Sequence, residues 1–126
     1  MLDRRMKGYD DVLFGGLPAA LVGIGAGEVA LGYLRVLERG VDDDLPDALA
    51  EVCDQTFAIA AMARGPGQSE RAERAERIAS LAHHLMMHET LALGAPRRSA
   101  LHHDRALEIA RELGLVESPS FAGFDA

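Results

Sequence analysis

Between Val12 and Leu34 the chain reads VLFGGLPAALVGIGAGEVALGYL and carries one charge, Glu28. Everything after it is more polar and amphipathic. A span through about 30 Å of hydrocarbon needs roughly 20 apolar residues, so this stretch is of borderline membrane length. Pro18 suits a first helical turn, and Gly40 suits a helix stop. The pattern therefore predicts a helix from Pro18 to Arg39, with Phe14 to Leu17 as its lead-in. Gly15, Ala19, Gly23 and Gly27 recur every four residues. On one helix they would form a smooth ridge that lets a second helix approach closely. Glu28 falls on the same side as Gly32, Arg35 and Arg39, and if buried it needs a partner or a proton.

Beyond an acidic linker, Val41-Asp42-Asp43-Asp44, the period becomes that of ordinary surface helices. Leu45, Leu49, Val52, Cys53, Thr56, Ala60 and Ala63 make one stripe, so a second helix is expected over 45–63. Asp44 is placed to cap it, with Pro46 in its first turn. Arg64-Gly65-Pro66-Gly67-Gln68 is the strongest break in the chain. A third helix follows over 70–93, capped by Ser69 and opening with ERAERAER. Its i,i+4 pairs, Glu70 with Arg74 and Glu73 with Arg77, read as a solvated helix start. Gly94 to Arg98 turns the chain. Ser99 would cap a fourth helix over 100–113, closed by Gly114. The expectation is an all-α single domain over 1–126. One long apolar helix within 12–39 precedes three shorter ones, the last two forming an antiparallel hairpin over 70–113. The tail, 114–126, is expected to be loosely ordered.

Composition narrows the function classes. The chain has 126 residues, enough for one domain with a real core. Much of its apolar content is Ala and aromatics are few, which favours packed helices over sheets. A formal net charge of -7 argues against a general nucleic-acid surface, and no nucleic-acid partner is expected. Cys53 is the single cysteine, which excludes an intrachain disulfide and suits a buried, inert thiol. Arg4, Arg5 and Lys7 precede the apolar stretch like the start of a signal segment. Asp10 and Asp11 interrupt that resemblance, so an uncleaved anchor is the better reading. No phosphate-cradling glycine loop follows a strand, and there is no nucleophile elbow.

The candidate chemistry is a histidine cluster. His83, His84, His88, His102 and His103 all lie within the expected hairpin. His84 and His88 are one turn apart, a workable two-ligand spacing for a transition metal. Glu89 follows His88 and is not placed between two ligands as a metalloprotease base would be. In the hairpin, Glu89 and His102 would stand at similar heights. His84, His88, Glu89 and His102 are thus the candidate ligands of a divalent transition metal. The bland reading is hydrogen bonding among the histidines, Glu89 and loop carbonyls. No catalytic residue is assigned, and enzymatic activity is left open.

These features rank three functions. The first is a small membrane-anchored structural or interaction protein, a homo-oligomer or one bound to a partner helix, assembling through the glycine ridge. The second is a soluble, cytoplasmic helical bundle holding a divalent metal on the histidine/glutamate cluster. The third is a soluble oligomeric adaptor without a cofactor.

Overall fold

The computed structural model describes residues 4–39, 44–63 and 65–115. Every element among these is helical, as the hydrophobic periodicity predicts. The expected stops at Gly40 and in the acidic linker, and the tail beyond Leu115, fall outside the described residues. The apolar stretch is not one helix. It forms α1 (Arg4–Asp11), a π-helical segment (Val12–Gly16) and α2 (Leu17–Gly23), which run on as one rod, and then α3 (Gly27–Arg39) after a sharp break. The chain continues with α4 (Leu45–Met62), α5 (Ser69–Leu91) and α6 (Pro96–Glu112).

The break has a clear cause. Gly25 has φ +82°, a conformation that costs an L side chain dearly. Around it the Ala26 N–H donates to Leu21 O at 2.8 Å, and the Gly25 N–H donates to Val22 O at 3.0 Å. This is the paired 6→1 and 5→2 closure of a helix that ends on a left-handed glycine. Leu21 and Ala26, the two positions whose apolar side chains accompany such a closure, are both buried in the core. Gly114 repeats the motif at the end of α6, at φ +77°, with Leu115 donating to Ala110 O and Gly114 donating to Arg111 O. Gly25→Val should therefore destabilise the fold by about 1–2 kcal/mol, the cost of a side chain in left-handed backbone. A urea-unfolding series comparing Gly25→Val with Gly25→Asn should show the smaller loss for Asn, which tolerates that conformation. Equal midpoints for both variants and the parent would contradict this reading of the turn.

The break overturns the expected membrane anchor and the membrane location. No helix among the described residues is long and apolar enough to cross a membrane. The apolar side chains are used instead inside the bundle. Val12, Leu13, Leu17, Ala20 and Leu21 are buried, and the rod leans on α5 and α6. α2 packs on α3, α3 on α4, α4 on α5 and α5 on α6. The core is continuous through all of them, with Leu49 and Val52 from α4, Ile78, Leu81 and Leu85 from α5, and Ala106 and Ile109 from α6.

The π-helical segment answers a problem set by Pro18. Proline inside a helix lacks an N–H and crowds the carbonyl one turn back. The wider turn just ahead of Pro18 absorbs the ring, with the Leu17 N–H donating to Val12 O. That leaves the Leu13 carbonyl without a helical donor, since the residue five positions on is Pro18. The Tyr33 hydroxyl of α3 donates to it at 2.8 Å, in a buried bond. One proline thus explains both the π-helical turn and a cross-helix hydrogen bond.

The charge repeat at the start of α5 is also more than a solvated face. Arg71 Nε donates to Ile24 O at 2.9 Å, at the end of α2. Arg74 approaches Leu113 O at 3.5 Å, and Arg77 pairs with Glu112, both at the end of α6. These cations sit where helix C-termini leave unpaired carbonyls and partial negative charge. The expected i,i+4 pairs are replaced by cross-helix contacts because two helix ends lie beside α5.

Candidate functional site

The hairpin forms, but in a register one turn away from the one expected. α6 begins at Pro96, not at 100, so the connection is shorter than the sequence implies. Ser99 is therefore not a cap. It lies inside α6 at 3% exposure and faces His88. Its hydroxyl donates to the His88 carbonyl at 2.9 Å. His88 Nδ1 stands 2.8 Å from Ser99 Oγ and 3.1 Å from the Ser99 carbonyl. A carbonyl only accepts, so the Nδ1 proton is on His88 and Nε2 keeps the lone pair when the ring is neutral.

One turn back, His84 and His102 face each other, Nδ1 to Nδ1 at 2.8 Å. One nitrogen must donate and the other accept, so the two rings hold opposite tautomers. The His84 imidazole is pushed down to about 4, first by desolvation and then by the neighbouring His83, His102 and Arg105. His102 is lowered as well, by desolvation, His83, Arg98 and His88. Both rings are therefore held neutral near pH 7. His83 stands edge-on to both, with centroids 5.2 Å from His84 and 6.2 Å from His102.

Glu89 belongs to a different set. Its carboxylate accepts a hydrogen bond from the Tyr9 hydroxyl of α1, eighty positions away. Tyr9 is buried, and its hydroxyl is held protonated by desolvation and then by that carboxylate. The Tyr9 ring stacks on His103 at 5.1 Å and meets His88 edge-on at 4.9 Å. Tyr9, His88, His103, Ser99 and Glu89 thus join α1 to the hairpin. His103 belongs to the histidine cluster read from the sequence, as an edge member outside the four candidate ligands, whereas Tyr9 is not among the candidates and carries no local spacing signal that would pair it with the hairpin.

The four candidate ligands are consequently split. His84 is with His102, His88 is with Ser99, and Glu89 is with Tyr9. Among the described residues, no group of three or more His, Cys, Asp or Glu side chains is arranged to hold a metal ion. Two nitrogens on a tetrahedral zinc, at about 2.0–2.1 Å each, stand roughly 3.3 Å apart. The His84–His102 separation is that of a hydrogen bond, and an ion would have to open it.

Of the ridge residues, Gly15, Ala19 and Gly23 lie exposed on the rod, while Gly27 lies beyond the break in α3. A Cβ added at Gly15 or Gly23 would meet nothing within 4 Å. Glu28 is not a buried charge. It is exposed in the first turn of α3, where a carboxylate suits the helix N-terminus. The Cys53 thiol is raised, by burial and then by Asp54, and stays protonated, in keeping with an inert packing role.

The histidine pair makes stability depend on pH with a definite sign. His84 binds its proton less well folded than unfolded, so the unfolded chain takes up more protons below its ordinary value of about 6.5. Its contribution is full above that value, falls as pH drops toward about 4 and is absent below. Urea midpoints taken between pH 7 and pH 4.5 should fall more steeply for the parent than for His84→Gln. Parallel slopes would show that this ring does not carry the dependence.

Comparison with family models, curated proteins and solved structures finds no match to this chain.

Proposed function

We propose that the chain is a helical adaptor that self-associates through the outer face of its N-terminal rod. The observation that supports this is the exposed surface of that rod. Phe14 and Val22 stand 55% and 61% exposed, with Gly15, Ala19 and Gly23 beside them. No charged residue occurs from Val12 to Gly27.

The order of large and small residues favours a second copy as the occupant. In an antiparallel pair with its two-fold axis beside Pro18 and Ala19, Phe14 faces Gly23 and Val22 faces Gly15. Each bulky side chain then meets a position with no side chain. Such an isologous contact uses the same patch twice. One short helical face is small for an interface, so the association is reversible rather than obligate.

Gly23→Leu separates this from a folding effect. Leucine is a better helix former than glycine by about 1 kcal/mol, so the monomer should hold or gain stability. Dimer affinity should nevertheless fall at least tenfold in sedimentation equilibrium, because the Phe14 site is filled. Val22→Leu, which only enlarges an existing knob, should fall less. A strictly monomeric parent at high protein concentration, or identical association by all three proteins, would overturn the adaptor reading. The metal alternative retains only the two nitrogens of His84 and His102, which is half a coordination sphere.

A further inference from the structure

α3 is the least finished helix of the bundle. Of its 13 residues only Ala30 and Tyr33 are buried, although Val29, Leu31, Leu34, Val36 and Leu37 are also aliphatic. Between α3 and α4 lies an open groove of about 610 Å³. Its base is apolar, formed by Val52 and the Tyr33 ring with Val29 and Val36 beside them. The Tyr33 hydroxyl is already committed to Leu13 O, so the base offers no free donor there. The sides are acidic. Glu28 from α3, Asp44 at the N-cap of α4, and Asp47 and Glu51 from α4 line it, against one cation, Arg39. Glu28, Asp47 and Glu51 are exposed, and so form its rim.

We infer that this groove docks a cationic amphipathic helix of another protein. A groove between two neighbouring helices is linear, and a third helix laid in it completes a packed layer. Apolar anchors at i, i+3 or i+4 and i+7 would meet the valines, while flanking Lys or Arg would meet the four carboxylates. The same charges choose between occupants. A second copy brings a net charge of -7 to an anionic rim and is disfavoured. Acidic and zwitterionic ligands are disfavoured for the same reason. Paired opposite charges at the rim act mostly on specificity and association rate, while the apolar base supplies residence time. This site lies within one copy and does not rest on self-association of the rod.

The test uses a 14-residue amphipathic peptide of Leu and Lys, its Leu/Glu counterpart, and a Leu/Lys peptide of equal composition with no apolar face. Binding to the full chain is followed by calorimetry and by amide chemical shifts. The amphipathic Leu/Lys peptide should bind with shifts centred on α3 and α4, and the other two should bind at least tenfold more weakly. Glu28→Lys with Glu51→Lys should cut its affinity at least tenfold. Glu70→Lys with Glu76→Lys makes the same change in net charge on exposed positions of α5, and should cut it far less. The Gly23→Leu protein should bind as the parent does. Equal binding of the faceless peptide, equal losses in the two charge-reversed proteins, or shifts centred away from α3 and α4 would overturn the inference. So would complete displacement by equimolar spermidine, which would make the groove a plain cation site.

Discussion

Leu81→Ala should destabilise the bundle by about 2–5 kcal/mol, the usual cost of truncating a fully enclosed leucine. Leu81 is 0% exposed on α5, the helix that touches α2, α4 and α6. Its neighbours on that face, Ile78 and Leu85, are equally enclosed, so little can collapse into the space left behind. Domains of this size hold about 5–15 kcal/mol in all, so one truncation removes a large part of it. Leu93→Ala is the matched control. Leu93 is 98% exposed, and its loss should move stability by no more than about 0.5 kcal/mol. The measurement is the urea midpoint at constant slope. A Leu81 variant as stable as the Leu93 variant would mean that α5 is not the centre of the core.

The parts of this fold legible in the sequence are those decided locally. The second helix, read as 45–63, forms as Leu45–Met62, because Pro46 and the Gly65–Gly67 turn bracket a clean apolar stripe. The end of α6 at Gly114 follows from the same chemistry that glycine offers any helix terminus. The apolar stretch misled for a physical reason. Glycines at 23, 25 and 27 suit both a close-packed helix and a left-handed helix stop. Only the tertiary use of Leu21 and Ala26 selects the stop. Once it is made, the apolar residues on either side fold back and bury one another.

The site was legible in part, and the missing part is non-local. That the histidines of the hairpin cluster together follows from their spacing. Which of them touch depends on where α6 starts, and a start four residues early shifts the register by a turn. His84 therefore meets His102, and Glu89 is left to Tyr9. The Tyr9 contact comes from a helix at the other end of the chain, placed there by the rod. No spacing rule reaches across eighty residues. The same holds for Arg71, whose partner is a backbone carbonyl at the end of α2.

The second large effect is expected at Tyr33→Phe, which should destabilise the fold by about 1–3 kcal/mol, the cost of leaving a buried acceptor unpaired. The substitution keeps the ring and removes only the hydroxyl that donates to Leu13 O. Tyr33 is 2% exposed and Leu13 4%, so water is poorly placed to replace the lost bond. Burial already raises the Tyr33 hydroxyl far above its ordinary value, so the donor is present at every pH of interest. The origin of the orphan carbonyl supplies the control. Leu13 lacks a helical donor because the π-helical turn aims its carbonyl at Pro18, which has no N–H. Pro18→Ala restores an N–H at that position. In the Pro18→Ala background, Tyr33→Phe should therefore cost at least about 0.5 kcal/mol less, a coupling that a double-mutant cycle reads directly. A merely structural role for the ring predicts no coupling, since the ring is unchanged in all four proteins. Strict additivity would separate the proline from the tyrosine and leave the π-helical turn without its cause.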